Sequence, residues 1–222
     1  MTQLDTLSYW RGEHLPGTWG PASDLIVLDL AHMPARPEVA RWADGAQVPT
    51  LVAARQPDGG RRRADLYDGR GRLVASQGQT HRAPGDEEPP GLADTVQVFD
   101  LAGHAVGILL GDDVLVPEVS RTLTLMGAEL LIAVAAPRLP QYLGIWREAQ
   151  QNQVIGFGGG TPPTLTVPCE ADPDENGFLA LESLGDWVRA TLPWGSLAPV
   201  REASLLQQLN PRAYLDRPWW LP

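Results

Sequence analysis

Apolar and polar positions along the chain change period several times, and those changes predict the elements. Residues 24–28, "DLIVL", form a continuous apolar run, as in a strand covered on both faces. "RPEVARWADG" (36–45) predicts a short helix with Gly45 as its stop signal. Three strands then follow in "VPTLVAAR", "RRADLYD" and "GRLVASQ", separated by the turn sequences "PDGG" and "DGRG". Residues 79–94 form a long polar loop with three prolines. Beyond it, "TVQVFD" and "AVGILL" make a hairpin around "LAGH", and "VPEVSRTLTLMGA" turns helical with Pro117 and Glu118 in its first turn. "ELLIAVA" (129–135) predicts a buried strand, 141–152 a helix, 153–159 a strand and 199–210 a helix. This alternation predicts an α/β protein with mixed sheets.

Residues 1–23 show no clear period and predict an irregular arm packed by Trp10 and Trp19. Residues 24–222, with a tail at 211–222, then form a single domain. The hydrophobic fraction of 43% suits one sizeable core. The net charge of −10 disfavours nucleic acid. No apolar run reaches the roughly 20 residues that span a bilayer, and no leader pattern opens the chain, so a cytoplasmic protein without membrane contact is expected. The cluster Arg61, Arg62, Arg63 reads as the solvated part of an edge strand.

Composition bears most directly on chemistry. All 17 basic residues are arginine, so no lysine amine can serve as nucleophile, tunable base or Schiff-base donor. Cys169 is the single cysteine. The four histidines show no ligand spacing, so neither a metal nor a cofactor is expected. "GILLGDDVLVPE" (107–118) reads as a buried strand, a sharp turn and a helix start, a place where enzymes often seat a nucleophile; here the turn holds Gly111, Asp112 and Asp113.

The order of these segments resembles the nitrilase superfamily, the carbon–nitrogen hydrolases. "SDLIVL" resembles the strand that ends at the family's catalytic Glu. "QTHRAPGDE" resembles its lysine loop, with His81, Pro84 and Glu87 in place. "GDDVLVPEVSRTLTLMGAELLI" resembles its nucleophile elbow, with Asp113, Pro117, Glu118, Arg121, Gly127 and Ala128 at family positions. "EAQQNQV" keeps Ala149 and Asn152 of a further segment but has Glu148 where the family has Arg. The resemblance implies a four-layer α-β-β-α sandwich with two mixed sheets, apparently shortened at the N-terminus. It also implies a Glu-Lys-Cys triad, and those positions hold Leu30 (or Asp29, if the strand end shifts by one), Gln79 and Gly111.

A thiolate is the nucleophile in that mechanism, and glycine has no side chain. Two readings follow. In one, the chain keeps the fold, has lost the triad, and binds a small molecule or a partner through a site of Asp29, His81, Glu87 and Asp112. In the other, it is an amide hydrolase with altered residues, using Asp112, His81 or Glu87. In the simplest reading Asp113 caps the following helix or pairs with Arg121. The resemblance further implies a homodimer, built on a stripe of Val119, Leu123 and Met126 and on a tail ending in Trp219, Trp220 and Leu221.

Overall fold

The computed structural model describes residues 3–56, 62–81, 93–134, 141–172, 174 and 176–203. Two sheets stack face to face. The first has seven strands in the order β12 (Glu182–Leu184), β13 (Trp187–Thr191), β1 (Thr6–Gly12), β2 (Leu25–His32), β3 (Thr50–Arg55), β4 (Arg62–Tyr67) and β5 (Leu73–Gly78). The second has six: β11 (Phe178–Leu179), β10 (Thr164–Thr166), β9 (Ile155–Gly158), β8 (Leu130–Val134), β7 (His104–Leu110) and β6 (Val98–Leu101). Each sheet is mixed. β1, β2 and β3 run parallel, as do β7, β8 and β9, while the flanking strands are antiparallel.

Strand alternation divides the side chains between layers. Leu7, Leu25, Val27, Leu51, Ala64 and Leu66 meet Ile108, Leu110, Ile132 and Phe157 in the core between the sheets. The other side of the first sheet offers Ile26, Leu28, Leu30, Val52 and Tyr67 to helix α1 (Arg36–Ala46). The outer side of the second sheet packs Leu109, Leu131 and Ala133 against helices α2 (Pro117–Leu125) and α3 (Gln141–Asn152). The result is the α-β-β-α sandwich. Helix α4 (Trp194–Ala203) carries Leu197 into the core between the sheets.

The structure departs from the sequence reading in several places. The arm 1–23 is not irregular throughout. Residues 6–12 form β1, inside the first sheet between β13 and β2, with Leu7 and Tyr9 facing its partner sheet. No helix follows β1. Residues 13–24 instead run as an indole-fastened loop, in which Trp42 Nε1 donates to Pro16 O (2.9 Å) and Trp19 Nε1 to Trp42 O (3.3 Å). That loop is where the helical cover of the first sheet is shortened. Helix α1 ends one residue beyond Gly45, and the left-handed residue that closes it is Gln47 (φ 57°).

Strand β4 lies between β3 and β5, so it is no edge strand, and Arg62 is buried. The proposed dimer stripe turns inward. Val119 and Leu123 are buried against this subunit's own second sheet, and only Met126 is exposed. The tail with Trp219, Trp220 and Leu221 lies outside the described residues, as does the part of the predicted 199–210 helix beyond Ala203.

Because Leu123 is a core residue, Leu123→Ala is expected to cost about 2–5 kcal/mol, read from the denaturant midpoint. A midpoint shift below about 1 kcal/mol, with weakened self-association, would return Leu123 to an interface.

Candidate functional site

The elbow begins where β7 ends. Leu110 closes the strand, and a 3₁₀ turn, Gly111–Leu115, leads to α2. Gly111 has φ +58°, a left-handed conformation that a side chain disfavours by roughly 1–2 kcal/mol. The space beside it is occupied. A Cβ built on Gly111 would fall inside contact distance of Arg62 Nη1, and 3.0 Å from both Arg62 Cδ and Gln79 Nε2. Alternation along β4 explains why: Arg62 shares its face with Ala64 and Leu66, which lie in the core between the sheets. Arg63 takes the opposite face and pairs with the buried Asp65 at 2.9 Å.

Gln79 follows β5 on the inward side and is buried. Its Nε2 donates to His81 O and, at 3.4 Å, to Asp112 Oδ2, and Asp112 is itself buried. Asp113 neither caps α2 nor pairs with Arg121. It reaches back to the segment after β5, accepting from Thr80 Oγ1 (2.8 Å), Thr80 N (3.1 Å) and His81 N (2.7 Å), and from Leu110 N (3.4 Å). It thereby fastens the segment carrying Gln79 to the elbow. Arg121 contacts Asn152 Oδ1 and Gln151 O on α3 instead. The His81 ring is 47% exposed, with Nδ1 2.9 Å from Thr80 Oγ1 and 3.6 Å from Asp113. Glu87 lies outside the described residues.

The same alternation places the candidate base positions. Leu30 lies in the cluster with Ile26 and Leu28 under α1, away from the elbow. Asp29 takes the face of Leu25 and Val27, between the sheets, where it accepts from Tyr9 Oη at 3.1 Å and lies 3.8 Å from Arg11 Nε. The inward carboxylate at this strand end is therefore Asp29. Burial, then the charge of Asp29, push the Tyr9 phenol far above its ordinary range, so it stays protonated and donates. In the register of the sheet, Asp29 stands beside Ala53, Ala53 beside Ala64, and Ala64 beside Gln77, a row that runs toward the elbow.

Gly111, Gln79 and Asp112 thus lie together, with Asp113 and Thr80 tying their segments. Arg62 and Tyr9 are site residues that sequence reasoning missed. The signal was in the strands: Arg62-Ala64-Leu66 and Leu7-Tyr9-Arg11 each alternate onto the inner face. Glu148 and Asn152 lie elsewhere. Buried between α2 and α3, Glu148 accepts from Ser120 Oγ and from Asn152 Nδ2 (3.0 Å), a helix-to-helix tie. Cys169 opens a separate 3₁₀ turn, where its N–H is held by Gln150. Among the described residues, no three His, Cys, Asp or Glu side chains gather as a metal site, and no helix is long and apolar enough to cross a membrane.

No protein-family model matches the chain, and no curated protein matches it in sequence. Its likeness is to solved structures. An amidase of Nesterenkonia sp. superposes with a TM-score of 0.67 at 16% identity, covering 98% of this chain and 97% of that one. A variant of the Nesterenkonia AN1 amidase, described as from the nitrilase superfamily, superposes with 0.66 over the same shares. Saccharomyces cerevisiae Nit3, a member of branch 10 of that superfamily, gives 0.63 at 14% identity, over 82% and 80%. The chain therefore has the fold of the nitrilase-superfamily amidases.

Two expectations test the site. Tyr9→Phe removes a buried donor from Asp29 and is expected to cost about 1.5–3 kcal/mol in chemical denaturation; an unchanged midpoint would show the bond to be idle. The second concerns Asp113. Its burial raises the carboxyl above the ordinary carboxylate range, against the bonds from Thr80, His81 and Leu110 that lower it. The folded chain then holds that proton more tightly than the unfolded chain. The resulting stabilisation is complete below the ordinary carboxylate pKa of about 4 and is lost as pH rises through the raised value. The melting-temperature difference between wild type and Asp113→Asn should shrink as pH rises from acid to neutral. A difference that grows instead would reverse the assigned direction.

Proposed function

We propose that this protein is a carbon–nitrogen hydrolase-like member of the nitrilase superfamily that has lost the catalytic triad, and that it acts by binding a small molecule or a partner. One observation carries the proposal: the space of a side chain at the elbow is filled by the Arg62 guanidinium. A variant of the Nesterenkonia amidase has been solved with the acetamide moiety of fluoroacetamide added covalently at its active site cysteine, and such an adduct needs a sulfur. Here the turn residue is Gly111, the lysine position is Gln79, and the chain contains no lysine. A guanidinium stays charged at any physiological pH, so Arg62 cannot exchange protons as a base would. It presents a cation beside a turn residue, Gly111, that has no side chain.

Wild-type protein assayed against simple amides, nitriles, ureas and N-carbamoyl amino acids should show no turnover above background. Turnover abolished by Asp112→Asn or Asp29→Asn would establish the hydrolase with altered residues in its place. Gly111→Cys alone should also be inactive. Its Cβ meets Arg62, its φ of +58° is strained, and the other members of the set are missing. Robust amidase activity from that single change would overturn the proposal.

A further inference from the structure

We propose that the outer face of β4, where it meets the N-terminus of α1, is a binding site for the carboxylate of a small acid. The site stands apart from the elbow. Arg63 takes the opposite face of β4 from Arg62, so it lies on the helix side of the first sheet and does not depend on what the elbow does.

The first support is a set of unused donors. Among the described residues, four buried side-chain polar atoms make no hydrogen bond, and three of them, Gln56 Nε2, Arg63 Nε and Tyr67 Oη, belong to this patch. Arg63 and Tyr67 share the face of β4 that also carries Asp65. Gln56 adjoins them, its Oε1 accepting from Arg63 Nη1 at 3.2 Å. Arg63 Nε comes within 2.9 Å of Asp65 Oδ1 but is not aligned for a hydrogen bond. Tyr67 is only 1% exposed. Burial, then the charge of Asp65, push its phenol above the ordinary range, so it stays protonated and can donate. Arg36 and Arg63 act on the same phenol in the opposite sense, which sets it within reach of both guanidiniums. Three donors gathered in this way are complementary to a group that only accepts, as an ionised carboxylate does.

The second support is charge. Arg36 Nε and Arg63 Nε lie 3.3 and 2.9 Å from the buried Asp65 carboxylate, and Ser76 Oγ donates to it at 2.5 Å. Two cations thus face one anion. A guanidinium has five donors in a fork that matches a carboxylate, so each can serve Asp65 and a second acid together. One further negative charge balances the pair, whereas a dianion would overshoot. Arg36 is also the first residue of α1, where the helix dipole favours an anion and Ala35 supplies no side-chain cap. Glu38, the acid of that turn, is exposed. The Arg36 side chain is 51% exposed, so the patch opens to solvent.

The probe is sodium acetate, titrated into the full chain at constant ionic strength with sodium chloride, with sodium phosphate in parallel. Acetate should raise the melting temperature saturably where chloride does not. In nitrogen-15 spectra the Nε–H signals of Arg36 and Arg63, assigned by their loss in Arg36→Gln and Arg63→Gln, should shift with a common half-saturation point. Arg36→Gln and Tyr67→Phe should each weaken that point roughly tenfold. Tyr67→Phe carries the sharper test. In chloride it should be as stable as wild type, since its hydroxyl has no hydrogen bond to lose. In acetate that saturates wild type it should fall below it. A Tyr67→Phe chain destabilised equally in both salts would show the hydroxyl to be bonded within the fold, and would overturn the proposal. So would a wild-type response to acetate no larger than to chloride, or an acetate response unchanged in both variants. A response to phosphate exceeding that to acetate would overturn the carboxylate as the ligand.

Discussion

Leu7, Leu25, Val27 and Leu51 of one sheet press against Ile108, Leu110, Ile132 and Phe157 of the other, and the remaining structure follows from that contact. Each inner strand must present alternate residues to this core. Its end then presents the next residue of the same parity, whatever that residue is. On β2 that residue is Asp29, on β4 it is Arg62, and just past β5 it is Gln79. The site is the rim of the core, reached where the apolar series gives way to polar side chains of the same phase. The hydrophobic contact thus determines which side chains meet, before any interaction among them is considered.

The electrostatics at that rim are those of a compensated interior. Asp29, Asp112 and Asp113 are all buried close to the elbow or on its approach. Asp113 is satisfied by backbone and hydroxyl donors from Thr80, His81 and Leu110, and Asp29 by the Tyr9 phenol. A cluster of this kind is rigid, since moving one member leaves another buried without its donors. Rigidity suits a binding surface.

Much of this was legible in the chain. The strands β2 to β9 and helices α1 to α3 follow from period and turn residues, because their signals are local. The first strand and the four short strands from β10 to β13 were not foreseen. The last four are brief, two to five residues each, and β1, though seven residues long, is defined by its partners on either side rather than by its own pattern. At the site, Gln79 and Gly111 could be related only through the resemblance, because the β6–β7 hairpin separates them in sequence. Leu30 against Asp29 could not be decided, since a slip of one residue exchanges the two faces of a strand. Arg62 was hidden by its neighbours. A run of three arginines reads as a solvated face, and only the pairing of β4 on both sides reveals that the middle one is interior.

The register of β1 has a consequence for how the chain assembles. Thr6 pairs with Thr191 of β13, and Leu7 with Leu25 of β2, so β1 sits between a neighbour close in sequence and one synthesised much later. The seven-stranded sheet cannot close on that side until almost the whole described chain has been synthesised. Until then β1 carries an unpaired row of backbone donors and acceptors, with Tyr9 and Trp10 on its two faces. A nascent chain that stops short of β13 therefore leaves one edge of β1 open to any strand that can pair with it.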